Sequence, residues 1–174
     1  ADVNGVVWDA ALVAIDYLSR KDLRGMTVLE MGSGTGAVSI ACAALGASLV
    51  IATDLPDRLG LIEKNVELNK TSLKGKMEVA ALDWTKPCDE TRPLDLVLVV
   101  DCVYYRDAVL PLLHSLESLE AKEILVAYEL RDIGEPIEAQ KMFRDEVQKK
   151  WDIERVEDGK RGDYVCDDIL LYYI

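Results

Sequence analysis

Residues 26–37 read MTVLEMGSGTGA, an apolar run that closes on Glu30 and passes directly into Gly32, Gly34 and Gly36. That is the pattern of a buried strand turning sharply into a helix. Glycine has no Cβ, so the chain can take positive φ there and a ligand can approach the main chain, while the following helix presents unpaired N–H groups. The stretch reads as a nucleotide-cofactor loop at a strand end, and it sets the expectation of an α/β fold with a largely parallel sheet.

Two cofactor classes fit the glycines. Gly32, Gly34 and Ala37 satisfy the dinucleotide spacing G-x-G-x-x-A, and Asp54 stands downstream where a ribose would be held. Glu30, two positions before Gly32, favours the other class, because a carboxylate repels a pyrophosphate and attracts an ammonium. S-adenosylmethionine, whose amino-acid end carries an ammonium, is therefore preferred to NAD.

With 174 residues, half of them hydrophobic, the chain is long enough for a substantial core, and one domain over 1–174 is expected. The start at Ala1 reads as a domain trimmed at its N-terminus. No apolar run reaches the roughly 18 residues of a membrane span, and no secretory leader precedes the first helix. Cys42, Cys88, Cys102 and Cys166 show no C-x-x-C spacing, which argues for a reducing compartment and against a metal site. The expected location is cytoplasmic, extending to the nucleus. The 32 acidic against 20 basic residues give a net charge of −12, which repels a phosphate backbone and disfavours a nucleic-acid partner.

Hydrophobic periodicity predicts helices over 8–18, 37–45, from 59, 109–119 and 138–150, with Gly46 closing the second. Strands are predicted over 49–53, 77–82, 94–100 and 123–128 besides the one ending at Glu30. Two further strands, 151–156 and 168–174, flank a loop rich in Gly and Asp and read as an antiparallel pair appended to the parallel sheet. His114 falls in an apolar helical stretch and is assigned no role.

In such a sheet ligands bind outside the carboxyl ends of the strands. Asp54 can accept ribose hydroxyls or cap the helix after Pro56. Asp83 and Trp84 can accept from and stack on an adenine, although Trp84 fits the core equally well on spacing alone. Asp101 ends the most apolar strand, where it can act in chemistry or cap the next helix.

Four elements together, GVVWDAA over 5–11, Glu30-x-Gly32-x-Gly34-x-Gly36, Leu82-Asp83-Trp84 and Asp101-x-x-Tyr104, resemble the methyltransferase-like 21 group of seven-strand S-adenosylmethionine-dependent protein-lysine methyltransferases. The resemblance implies a Rossmann-like seven-strand methyltransferase sheet with helices on both faces and an antiparallel C-terminal strand pair. It implies that Trp8 lies over the cofactor, that Glu30, Gly32, Ser33 and Gly34 serve its methionine end, Asp54 and Leu55 its ribose, Asp83 and Trp84 its adenine, and that Val100 lines the same pocket. Asp101 and Tyr104 take the catalytic positions, with Glu129 and Arg131 near the substrate mouth. Relatives that methylate planar amide or adenine nitrogens carry an [N/D]-P-P-Y element there, whereas this chain reads Asp101-Cys102-Val103-Tyr104, which favours an aliphatic amine. The implied partner is a protein, a chaperone or an ATPase, met by a monomer. A methyltransferase of small amines, a NAD-dependent reductase and an inactive cofactor-binding scaffold remain as alternatives, the reductase weakened by the lack of Tyr-x-x-x-Lys after the fourth strand.

Overall fold

The computed structural model describes residues 5–157, 162–164 and 166–174, so the Gly- and Asp-rich loop and the start at Ala1 lie partly or wholly outside the described residues. In chain order the elements are α1 (Asp9–Leu18), β1 (Thr27–Met31), α2 (Ala37–Leu45), β2 (Leu49–Asp54), α3 (Leu59–Asn69), β3 (Lys76–Ala81) and β4 (Leu94–Val100). There follow α4 (Arg106–Ser118), β5 (Ala121–Glu129), α5 (Glu135–Val147), β6 (Glu154–Arg155) and β7 (Ile169–Tyr173). The strands form one sheet in the order β3-β2-β1-β4-β5-β7-β6. β1 to β5 are parallel to one another, and β7 runs antiparallel to both β5 and β6.

Strands as apolar as β4 are explained by cover on both faces. Val97 and Val99 face a cluster with Leu112, Leu116 and Phe143 of α4 and α5. Leu96, Leu98 and Val100 face the opposite cluster with Val13, Leu18 and Val38 of α1 and α2. Every strand that the periodicity places is present, with end shifts of a few residues.

Three departures have local causes. α4 begins at Arg106, earlier than the predicted 109, and runs through Pro111. The proline removes only the N–H that would pair with the Asp107 carbonyl, and apolar burial of Val109, Leu112, Leu113 and Leu116 carries the helix past it. α5 starts at Glu135, not 138, because Gly134 at φ 75° turns the chain and Pro136 suits the first helical turn. β6 is reduced to Glu154 and Arg155, both exposed at the sheet edge.

Glycines make the packing testable. A Cβ on Gly75 would lie 1.7 Å from the Ala47 carbonyl oxygen, whereas one on Gly60, exposed in α3, would meet nothing within 4 Å. Gly75→Ala is therefore expected to destabilise by ~2 kcal/mol or more, and Gly60→Ala to stabilise by ~0.5–1 kcal/mol. Urea unfolding midpoints that move in the same direction for both would contradict this packing.

Candidate active site

The strand order reverses between β1 and β4, and the residues at their carboxyl ends surround a cavity of about 910 Å³. β1 delivers Glu30, β2 delivers Asp54, and β4 delivers Val100 and Asp101. Trp8 enters from just before α1, and Arg131 and Gln140 from the β5–α5 side. Of the sequence-predicted site residues, Trp8, Glu30, Gly32, Ser33, Gly34, Asp54, Leu55, Asp83, Trp84, Val100, Asp101 and Tyr104 all line this one cavity.

The glycine loop takes left-handed φ at Gly32 (64°), Gly34 (53°) and Gly36 (77°). A side chain on Gly32 would come to 3.0 Å from Cys102 Sγ and 3.3 Å from the Trp84 ring, so the backbone here forms the cavity floor beneath the indole. The loop is tied to β2: Ser33 N–H donates to the Thr53 carbonyl at 2.8 Å, and Thr53 N–H donates to Ser33 Oγ at 3.1 Å. Gly34 N–H donates to Asp54 Oδ2 and Leu55 N–H to Asp54 Oδ1, each at 2.8 Å. Asp54 is thus a clasp for the loop, and the N-cap position of the helix that follows is held by Arg58, without a side-chain cap bond, and not by Asp54. A carboxylate oxygen has lone pairs to spare, so Asp54 can still accept from a ribose hydroxyl.

Glu30 is only 2% exposed. Its Oε2 accepts from Ser39 N–H at 3.0 Å and from Ser39 Oγ–H at 2.5 Å, which fastens β1 to α2. Sequence reasoning read Glu30 as facing a ligand ammonium; the structure engages it first with Ser39. The signal for this partner was legible, since Ser39 is the lone polar residue of the helix AVSIACAAL. Burial raises the Glu30 carboxyl to about 7, against its hydrogen bonds from Ser39.

Asp83 sits at the cavity, but its own turn uses its carboxylate: Oδ1 accepts from Thr85 N–H and Oγ1–H, and Oδ2 pairs with Lys86 at 2.9 Å. Those bonds from Thr85 and Lys86 hold it down at about 2. Trp84 packs against the α4–α5 core while also lining the cavity, so both of its sequence readings apply.

At the other end, Asp101 is the one non-glycine residue with positive φ (53°) among those described. Its N–H donates to the Ala127 carbonyl at 2.7 Å, its Oδ1 accepts from Glu129 N–H at 3.4 Å, and its Oδ2 lies 3.8 Å from Arg131. Burial raises its carboxyl, opposed by the Glu129 N–H and by Arg131. Arg131 pairs with Glu129 at 2.7 Å and stands 5.8 Å from the Trp8 ring centre. Tyr104 stacks obliquely on Tyr105 at 4.6 Å, and burial pushes its phenol up to about 12, so it is neutral across physiological pH.

Gln140 escaped the sequence reading, being one polar residue among many in α5. It is 4% exposed; its Nε2 donates to the Glu129 carbonyl at 2.7 Å and its Oε1 accepts from Arg131 N–H at 3.3 Å. The amide pins the backbone that carries both groups facing the Asp101 carboxylate, the Glu129 N–H and Arg131. His114 is exposed on α4 and absent from the cavity lining. Among the described residues no cluster of His, Cys, Asp and Glu could hold a metal ion, and no helix is long and apolar enough to cross a membrane.

The cavity suits S-adenosylmethionine better than a dinucleotide. Two carboxylates flank the glycine loop, and the Gly34 N–H, which a pyrophosphate would need, is already given to Asp54. The bare backbone at Gly32 lets the Trp84 ring and Cys102 pack close against the loop, which places the indole at the cavity wall.

A family model described as lysine methyltransferase matches residues 1–150. The protein N-lysine methyltransferase METTL21A of Danio rerio is 33% identical over 169 residues, covering 94% of this chain and 76% of that protein. The Mus musculus METTL21A is 38% identical over 136 residues, covering 74% of this chain but only 62% of its own length. The sheet also matches the crystal structure of a putative RNA methyltransferase, PH1948 from Pyrococcus horikoshii, with a TM-score of 0.61 at 17% identity, over 94% of this chain and 82% of that one. A narrower likeness to the valosin-containing-protein lysine methyltransferase, which the four sequence elements together suggest, is not specifically shown by these relatives.

Linkage makes the Glu30 clasp measurable. A carboxyl raised in the folded state contributes stability that is full below its unfolded value near 4.5 and is lost as pH rises through about 7. The stability difference between the unmodified protein and Glu30→Gln should therefore fall by ~2–3 kcal/mol from about pH 4 to pH 8. A flat difference across that window, read by chemical denaturation, would remove the buried titration.

Proposed function

The chain belongs to the lysine methyltransferase family, and from that premise we propose that it transfers a methyl group from S-adenosylmethionine to the side-chain amine of a lysine in a protein substrate. The observation that carries the reading is the sharing of one cavity by the glycine loop and the Asp101–Tyr104 pair. The chain spans 62–76% of the METTL21A relatives it matches, so the target is a separate matter. A chaperone or an ATPase, met by a monomer in the cytoplasm or nucleus, is the expected partner. The net charge of −12 supports a cationic protein substrate and argues against nucleic acid.

The chain's own residues position and desolvate. Bound S-adenosylmethionine supplies a methyl on a sulfonium sulfur, so no side-chain nucleophile is needed. Gly32 to Gly34 and Asp54 hold its amino-acid end and ribose, and Trp84 its adenine. A free lysine has a pKa of about 10.4, so at neutral pH it arrives as the ammonium and must lose a proton before its nitrogen can attack. Asp101 draws that ammonium in and, with basicity raised by burial, accepts the proton on its way to water. Tyr104 stays a neutral phenol whose hydroxyl can accept from the amine while its ring walls the channel. Trp8 and Arg131 close the same end, and Gln140 fixes the backbone that orients Asp101.

Tritiated methyl transfer from S-adenosylmethionine into a cell extract tests the activity. Label should stay in protein, resist nuclease and disappear with protease; label confined to small molecules would instead favour a small-amine enzyme. With a labelled substrate in hand, Asp101→Ala should lower kcat by about 100-fold or more while leaving cofactor affinity within a few-fold. Unchanged turnover would remove Asp101 from the mechanism. Gln140→Leu should lower kcat by roughly tenfold with cofactor affinity again preserved, because the misplaced partner is Asp101 and not the glycine loop. A loss of cofactor affinity as large as the loss of kcat would assign Gln140 to general structure.

A further inference from the structure

The cavity mouth is unusual in its apolar side chains. Val6, Val7, Tyr104, Tyr105 and Ile133 line it and are all exposed, Tyr105 to 54% and Ile133 to 78%. They come from three separate segments, before α1, between β4 and α4, and between β5 and α5, so the fold itself gathers them. Exposed apolar side chains scattered singly need no explanation, but a ring of them around a site marks a surface that another molecule covers. The oblique Tyr104–Tyr105 stack fixes two large rings at little entropic cost, the kind of anchor that dominates interfaces.

The same mouth is acidic. Asp101, Asp107 and Glu135 line it together with Arg58 and Arg131, and the same segments, 101–107 and 129–138, add Glu129, Asp132 and Glu138 against only Arg106. Each of these arginines has an acidic partner, Arg58 with Asp57 at 3.5 Å, Arg106 with Glu138 at 3.6 Å and Arg131 with Glu129 at 2.7 Å. The field left over attracts a cation and sets the encounter rate, while burial against Ile133 and the tyrosines sets how long the encounter lasts.

We propose that this surface selects a lysine whose immediate neighbours are apolar, within a protein segment of net positive charge, in preference to a lysine inside an unbroken run of Lys and Arg. The inference rests on the lysine-methyltransferase reading and sharpens its substrate class. A basic tail satisfies the carboxylates but leaves Ile133 and Tyr105 in water. An apolar-flanked lysine satisfies both, and covers the rim so that water is kept from the reacting amine. Neighbouring acidic residues on the substrate would be rejected by Asp107 and Glu135.

The test uses two synthetic peptides, each with one acceptor lysine and equal net positive charge. One has Leu and Phe beside the lysine with arginines further out; the other has arginines beside the lysine. The expected result is a kcat/KM at least about tenfold higher for the apolar-flanked peptide, lying in KM, and collapse of that ratio in Ile133→Asp and Tyr105→Asp with cofactor affinity unchanged. Both side chains are exposed, but Tyr105→Asp also loses its stack on Tyr104, so Ile133→Asp is the cleaner of the two. Equal or reversed preference, or a ratio that survives both substitutions, overturns the proposal while leaving lysine methylation intact. Transfer to neither peptide and to no protein in a cell extract would instead overturn the lysine-methyltransferase reading, and this proposal with it.

Discussion

A buried carboxylate holds the site together. Glu30, one residue before the end of β1, has its side chain out of water, and two hydrogen bonds from Ser39 are what it receives in return. Through them the last residues of the central strand and the first turn of α2 become one rigid piece. The three left-handed glycines between them can then present bare backbone to a ligand without collapsing. Ser33, Thr53 and Asp54 extend the same fastening to β2. A buried ionisable group is an expensive way to fasten a loop, which is the mark of a place where position matters more than stability.

From that fixed loop the cavity divides along the sheet. The β1–β2–β3 side supplies glycines, Asp54 and Trp84, which suit a nucleoside with an amino-acid tail. The β4–β5 side supplies Asp101, Tyr104 and, through Gln140, an ordered Glu129 and Arg131. The chemistry needs both in register, and the parallel pairing of β1 with β4, Glu30 beside Leu98 and Met31 beside Val99, sets that register. The positive φ of Asp101, a conformation that aspartate tolerates better than most side chains, is held by its N–H bond to the Ala127 carbonyl, by the Glu129 N–H and by Arg131.

Much of this was legible in the sequence, for identifiable reasons. Strands covered on both faces are continuous apolar runs, so β4 was read to the residue, and Gly46 marked the end of α2. The residues at the strand ends were found because topology puts ligands there. What sequence could not give was which way a polar side chain turns. Glu30 looks to Ser39, Asp83 to Thr85 and Lys86, and Asp54 spends both oxygens on backbone. Gln140 had no signal, since its two backbone partners lie across a turn whose path periodicity does not encode. The early start of α4 adds Arg106, Asp107 and Ala108, which carry little apolar signal, and that of α5 follows from turn chemistry at Gly134-Glu135-Pro136, which apolar spacing does not encode.

The central claim is that one cavity joins the methyl donor to a lysine amine, and a crystal structure with S-adenosylhomocysteine and a lysine-bearing peptide tests it most directly. The account predicts the adenine against Trp84, the ribose on Asp54, the amino-acid end over Gly32 to Gly34, and the lysine nitrogen between Asp101 and Tyr104, facing the sulfur. A nucleoside bound outside the glycine loop, or a lysine that enters away from Asp101 and Tyr104, would contradict it.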